Sequence, residues 1–172
     1  MRAIRLCTRH YPPLDGVGAS ITGGRWNSPG KHVVYTASCG ALAALEYLVH
    51  VGTRVPKGML LVLLDIPESL PLERTSGWAP SDIAASRRIG DEWIEAGASP
   101  VLQVPSVLVP RQNNYLLNPL HPLFGAIKVI DQNPFAFDSR LLSSTTARVM
   151  ESEPLWLRSR AHHQSQLVNR SI

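Results

Sequence analysis

The sequence lacks most of the features from which a function is commonly read. Its 172 residues include two cysteines, Cys7 and Cys39. Two are too few for a disulfide framework and lack the paired spacing of a zinc site. Both read as small hydrophobes bound for the interior of the fold. No apolar run approaches the ~20 residues that span a bilayer. The longest, Met59-Leu60-Leu61-Val62-Leu63-Leu64, reads as a buried strand. The two arginines near the N-terminus are not followed by the apolar stretch of a secretory signal. The expected compartment is a reducing cytoplasm, with no membrane association.

Common nucleotide-binding and hydrolase signatures are missing too. Gly16-Val17-Gly18 does not continue into the dinucleotide fingerprint, because position 21 is isoleucine, and no phosphate loop of the G-x-x-x-x-G-K type occurs. No Gly-x-Ser-x-Gly elbow surrounds Ser106, so a serine-hydrolase triad has no support. Glu46 and His50 lie one helical turn apart without a third ligand, and His162-His163 has no accompanying ligands, so no metal site is expected. A net charge of +4 invites a nucleic-acid reading. That charge divides evenly, +2 before Leu141 and +2 from it onward, and no lysine-arginine cluster forms. Direct DNA binding is therefore a distant alternative. A polyanionic small molecule or an acidic protein partner suits the balance equally well.

What is present is globular: 44% hydrophobic and 17% charged residues, enough for one domain with a substantial core. Ala3 to Thr8 alternates as a first strand, with Arg5 and Arg9 near its end. Tyr11 to Pro29 is a long Gly- and Pro-containing loop. His32 to Thr36 reads as a strand. Ser38 can cap a helix running from Ala41 through His50 to a stop at Gly52. Gly58 to Ile66 is an apolar strand, Pro67 to Pro80 is irregular, and Ser81 to Ala96 is a second helix weakened at Gly90. Val101 to Val104 and Val107 to Val109 read as short strands split by Pro105-Ser106. A polar turn follows at Asn113-Asn114, then a last strand at Ala126 to Ile130, and Phe135 to Leu142 closes the core. Helices and strands mix without regular βαβ alternation, which points to an α+β fold. Residues 143–172 change character and read as a flexible or loosely docked tail.

The most informative stretch is Gly23-Gly24-Arg25-Trp26-Asn27-Ser28-Pro29-Gly30. Two glycines deliver an arginine into a loop, and Ser-Pro-Gly turns the chain back. An arginine so held suits a fixed anion, since its planar fork grips phosphate through paired hydrogen bonds. It also suits a plain bridge to a nearby carboxylate or carbonyl. Tyr35 follows at the end of the next strand, as a stacking platform for a flat heterocycle or as ordinary packing. Glu46 follows on the helix among Leu42, Ala43, Leu45 and Val49, where a carboxylate is costly unless paired or used. A solvated position for Glu46 satisfies the phasing equally.

The ordered set Arg25, Tyr35, Glu46 and Ser106 carries a resemblance. So do the segments around it: Gly23-Gly24-Arg25-Trp26-Asn27, Ala43-Ala44-Leu45-Glu46-Tyr47-Leu48-Val49-His50, Val104-Pro105-Ser106, Asn118-Pro119-Leu120-His121-Pro122 and Phe137-Asp138-Ser139-Arg140-Leu141. Together they resemble the RES domain over residues 1 to 142. The resemblance implies a single compact domain with an ADP-ribosyltransferase-like mixed sheet and flanking helices. It implies the toxin of a toxin–antitoxin pair that consumes NAD by hydrolysis or phosphorolysis, or transfers its ADP-ribose to a protein. It implies an Xre-like antitoxin as partner, and Arg25, Tyr35, Glu46 and Ser106 as the NAD site. On that reading Arg25 clamps the pyrophosphate, Tyr35 stacks on nicotinamide or its ribose, Glu46 faces the ribosyl cation, and Ser106 contacts substrate or orients Glu46. Arg5 matches an early family arginine less securely, because Arg9 lies near enough to compete.

Overall fold

The computed structural model describes residues 1–51, 57–75 and 79–142. Seven strands form one sheet: β1 (Arg2–Thr8), β2 (Val34–Ala37), β3 (Met59–Asp65), β4 (Leu72–Arg74), β5 (Val101–Pro105), β6 (Asn113–Leu117) and β7 (Lys128–Phe135). Their order across the sheet is β4-β5-β6-β2-β1-β3-β7. Every neighbouring pair is antiparallel except β4 and β5, which makes the sheet mixed. Among the described residues three helices accompany it: α1 (Val17–Thr22), α2 (Gly40–Val51) and α3 (Ile83–Ala96). The architecture is α+β, as expected from the irregular mixing of elements. Contacts divide the chain into two units, Met1–Phe137, which holds the sheet, and Asp138–Ile172. In the second, Asp138 caps a short 3-10 turn, Ser139–Leu141, by accepting from the Arg140 backbone.

Alternation along the strands sorts the core. Ala3, Cys7, Val34, Val62, Leu64, Val101 and Leu117 pack together on one face. On the other, Leu6 and Ala37 meet Leu42 and Ala43 of α2, while Leu102, Val104 and Leu116 meet Trp26 and Trp93. The β2–β6 ladder pairs Tyr35 with Leu116 and Ala37 with Asn114. Tyr35, Ala37, Asn114 and Leu116 thus share the face that carries α2 and α3, in two rows about 7 Å apart.

Several elements differ from expectation, each for a physical reason. The loop from Tyr11 to Pro29 contains α1, six residues closed by Gly23 with φ +71, a conformation that glycine adopts without strain. Ser38 does not cap α2, because its hydroxyl donates to Gln112 Oε1 at 3.0 Å. The second helix begins two residues later than expected, where Asp82 accepts from Ala85 N at 2.7 Å as N-cap. Leu72–Arg74 is a strand after all, a three-residue edge piece too short to show a period. Val107–Val109 is not a strand; its amides turn inward to a side chain. Asn113-Asn114 opens β6 and is not a turn. The last strand runs from Lys128 to Phe135, an almost wholly exposed edge whose polar composition masks it. Gly52 and the expected tail at 143–172 lie outside the described residues, as does His162-His163.

Candidate active site

The Gly23–Gly30 loop is built to hold one shape. Asn27 is fully buried, and its amide nitrogen donates to the carbonyls of Ala19, Ser28 and Lys31. Its Oδ1 accepts from the Tyr35 hydroxyl at 2.7 Å, and that hydroxyl in turn accepts from Trp26 N at 3.1 Å. A buried hydroxyl with both roles filled is satisfied. Burial pushes the Tyr35 phenol well above its usual range, and the Trp26 amide opposes the shift only in part. From α3, Asp91 accepts from both the backbone and hydroxyl of Ser28, and Arg87 donates to Gly24 O at 3.2 Å. Gly24 lies against the phenol: a Cβ there would stand 2.5 Å from the Tyr35 oxygen. Gly90 gives α3 its seat, because a Cβ at that position would lie 1.8 Å from Trp26 O. The helix lies directly on the loop backbone there.

Arg25 projects from this fixed frame. Its guanidinium donates to Pro80 O at 3.1 Å in an exposed contact. Tyr35 is thus the anchor of the arginine loop, and it packs against the buried cluster that contains Trp26, Trp93 and Leu116.

Glu46 and Ser106, 60 residues apart, come together. Ser106 Oγ donates to Glu46 Oε1 at 2.8 Å and accepts from Leu108 N and Val109 N, each at 3.1 Å. Ser106 N donates to Gln112 O at 2.8 Å, closing the turn that brings the hydroxyl back over α2. Asn114 Nδ2 donates to the same Oε1 at 2.7 Å. Both donors fall on one oxygen, so Oε2 accepts no hydrogen bond among the described residues. Glu46 is half-buried, not wholly solvated, and its neighbours Leu45 and Val49 face solvent while Leu42 and Ala43 face the core.

The structure therefore forms two groups on one face of the sheet: Glu46 with Ser106, and Tyr35 with the Arg25 loop, each fixed to an adjoining row of the β2–β6 ladder. Arg25 is not hydrogen-bonded to the Glu46 group. Arg5 donates to Tyr35 O at 3.2 Å, and burial beside Cys7 lowers its pKa while raising that of the thiol. Asn114 is the site residue that sequence reasoning missed. Adjacent asparagines signal a turn, and the signal that could have found it is the apolar run Tyr115-Leu116-Leu117 continuing its strand. Among the described residues no group of three or more His, Cys, Asp or Glu is placed to hold a metal ion, and no helix is long and apolar enough to cross a membrane.

The family model of the RES domain matches residues 2–138. The chain belongs to the RES domain family. Among similar curated RES proteins, "Toxin Res" of Photorhabdus laumondii is 39% identical over 141 residues, covering 76% of this chain and 88% of that protein. "Toxin Res" of Yersinia enterocolitica is 38% identical, covering 82% of this chain and 99% of that protein. The "Prs ADP-ribosylating toxin" of a Sphingobium strain is 36% identical, covering 75% and 86%. The fold is also that of a chain in the M. tuberculosis MbcT–MbcA toxin–antitoxin complex, with TM-score 0.64 and 15% identity over 78% of this chain and 84% of that one.

Proposed function

We propose that this RES domain is the toxin of a type II toxin–antitoxin pair and that it breaks the bond between nicotinamide and ribose in NAD. The observation that carries the reading is the Glu46 carboxylate, its Oε1 held by Ser106 and Asn114 and its Oε2 left for a ligand. Family membership and the toxin names of relatives at 36–39% identity support the biological role.

The chemistry asks for little. Nicotinamide leaves as a neutral molecule from a cationic ring, so neither a general acid nor a metal is required. The ribosyl group passes through an oxocarbenium-like transition state. A fixed carboxylate beside that developing charge, or holding the ribose hydroxyls, is the principal need. Glu46 supplies it, Ser106 orients it, and Arg25 grips the pyrophosphate from the loop that Tyr35 anchors. Water or phosphate accepts the ADP-ribosyl group, which depletes NAD in the cytoplasm. An Xre-like antitoxin restrains the toxin; the structural neighbour's occurrence in a toxin–antitoxin complex supports such a partner. A second reading keeps the site and gives the ADP-ribose to a protein, favoured by the relative named as an ADP-ribosylating toxin.

The test is to incubate the purified chain with NAD, with and without phosphate, and follow nicotinamide release by proton NMR. A parallel sample with NAD labelled in its ADP-ribose half is resolved by gel. Loss of NAD with label on small molecules supports the depleting toxin, and label on protein supports the second reading. Intact NAD in every sample, with no labelled protein, overturns both.

A further inference from the structure

Among the described residues the Asn114 side chain makes one hydrogen bond, to Glu46 Oε1. Its own Oδ1 is buried and accepts from nothing among the described residues. Its register neighbours are Ala37 on β2 and Val104 on β5, which are 2% and 0% exposed. A primary amide in this slot, with its acceptor unused, is a poor choice for packing or stability. An apolar side chain of the same size would leave no orphaned acceptor. The amide also has one acceptable orientation. Flipped, it would set Oδ1 against the carboxylate oxygen, two acceptors face to face.

We propose that Asn114 is a positioning residue for the reaction assigned to this domain: its amide N–H pins Glu46 Oε1, in concert with Ser106, so that Oε2 is presented to the ribosyl group. The inference rests on the reading of Glu46 as the acting carboxylate. Asn114 does not itself touch substrate. It acts by fixing the rotamer of Glu46 through the hydrogen bond to Oε1. Two donors on Oε1 leave Oε2 as the oxygen of the group open to a ligand. Direction, and not charge alone, is what the pair adds.

The experiment compares the wild-type full chain with Asn114→Asp and Asn114→Ala. The readout is the pH profile of NAD consumption, with kcat and KM measured separately and folding checked by circular dichroism. Asn114→Asp keeps the shape and replaces the donor by a second carboxyl beside Glu46. The two must then share a proton, so the acid limb of the profile is expected to move up by about one pH unit or more. In Asn114→Ala kcat is expected to fall about tenfold or more, with KM within about threefold of wild type, because the lost contact serves the transition state and not binding. A residue that merely fills space would lower the amount of folded protein and leave the acid limb in place. If Asn114→Asp does not fold, the Asn114→Ala split of kcat from KM decides. Active wild type together with an unmoved acid limb, or with kcat in Asn114→Ala at the wild-type value, overturns the positioning role and leaves the assignment of Glu46 standing. Wild type that leaves NAD intact overturns the assignment and this inference with it.

Discussion

The Ser106 hydroxyl oxygen lies 2.8 Å from Glu46 Oε1 and 3.1 Å from the backbone nitrogens of both Leu108 and Val109. The two amides can only donate, so they occupy the lone-pair side of the hydroxyl and direct its proton at the carboxylate. Ser106 is thereby a relay that ties the charge on α2 to the turn after β5. It is buried, at 8% exposure, and its hydroxyl uses its donor and both acceptor sites within the protein.

Ser106→Ala should therefore lower both activity and stability. A hydrogen bond to a charged group is worth ~1.5–3 kcal/mol, so a drop in kcat of roughly 10- to 150-fold is expected if that bond serves catalysis. Two backbone N–H groups also lose their acceptor, which should cost about 1–2 kcal/mol in denaturant unfolding. Measuring NAD turnover and urea unfolding on the same preparation checks both. Wild-type turnover in a destabilised Ser106→Ala protein would leave the residue with a structural role alone.

Tyr35→Phe tests the anchor and carries a pH signature. Removing the hydroxyl takes one hydrogen-bond partner from Trp26 N and one from Asn27 Oδ1, and stability should fall by ~1–3 kcal/mol at neutral pH. Burial holds the folded phenol far above the ordinary value near 10, while the unfolded chain ionises there. A folded pKa above the unfolded one gives stability that is complete below pH ~10 and lost as pH rises past it, by about 1.4 kcal/mol per unit for one proton. Cys7 and Tyr47 are raised by burial as well and add losses of the same sign, from pH ~8.5 and ~10 respectively. Wild type should thus lose stability steeply in alkali, and Tyr35→Phe less steeply. Melting temperatures between pH 7 and 11 for the two proteins provide the comparison; parallel curves would show that Tyr35 ionises freely in the fold.

The parts of the fold legible in the sequence are those where local pattern and tertiary role agree. β1 carries alternation, β3 a continuous apolar run and α2 helical spacing, and α2 brings Glu46 to the sheet beside Ser106. The Gly-Gly-Arg-Trp-Asn loop was recognisable, yet what fixes it was not: Asn27 is buried by contacts to Ala19 and Lys31, which only the turn of α1 makes possible. Val107–Val109 has strand-forming side chains, but Ser106 captures its amides before any ladder can. Local competition of this kind for backbone hydrogen bonds is invisible to propensity. Asn114 was obscured by the opposite error, since a residue typical of turns is held in a strand by its pairing with Ala37 and Val104.

Gly90 reads in sequence as a weak point of α3, and in the fold it is the contact itself. Gly90→Ala would gain up to ~1 kcal/mol of helix propensity in isolation. Here the added methyl meets Trp26 O at 1.8 Å and Trp26 C at 2.7 Å, both backbone atoms that no rotamer change can move. Overpacking of this kind typically costs 1–3 kcal/mol, and the net effect should be a melting temperature lower by about 4–8 °C. The displaced helix also carries Arg87 and Asp91, which hold Gly24 and Ser28. The KM for NAD should rise in parallel. A thermal melt equal to or above wild type would mean that α3 shifts freely over the loop.

Arg25→Ala separates binding from folding. Among the described residues the one hydrogen bond made by its guanidinium runs to Pro80 O in an exposed setting, so unfolding free energy should change by no more than ~0.5 kcal/mol. The loop frame, built from Asn27, Tyr35 and Asp91, stays in place without it. If the arginine clamps the pyrophosphate, kcat/KM for NAD should fall by roughly 10- to 150-fold, the equivalent of ~1.5–3 kcal/mol, with most of the loss in KM. Arg25→Lys should recover only part of it, because an ammonium cannot make the paired contacts of a guanidinium. Initial-rate kinetics across a range of NAD concentrations checks the division. An unchanged KM in a normally stable Arg25→Ala protein would assign the pyrophosphate to another cation and leave Arg25 outside the substrate's reach.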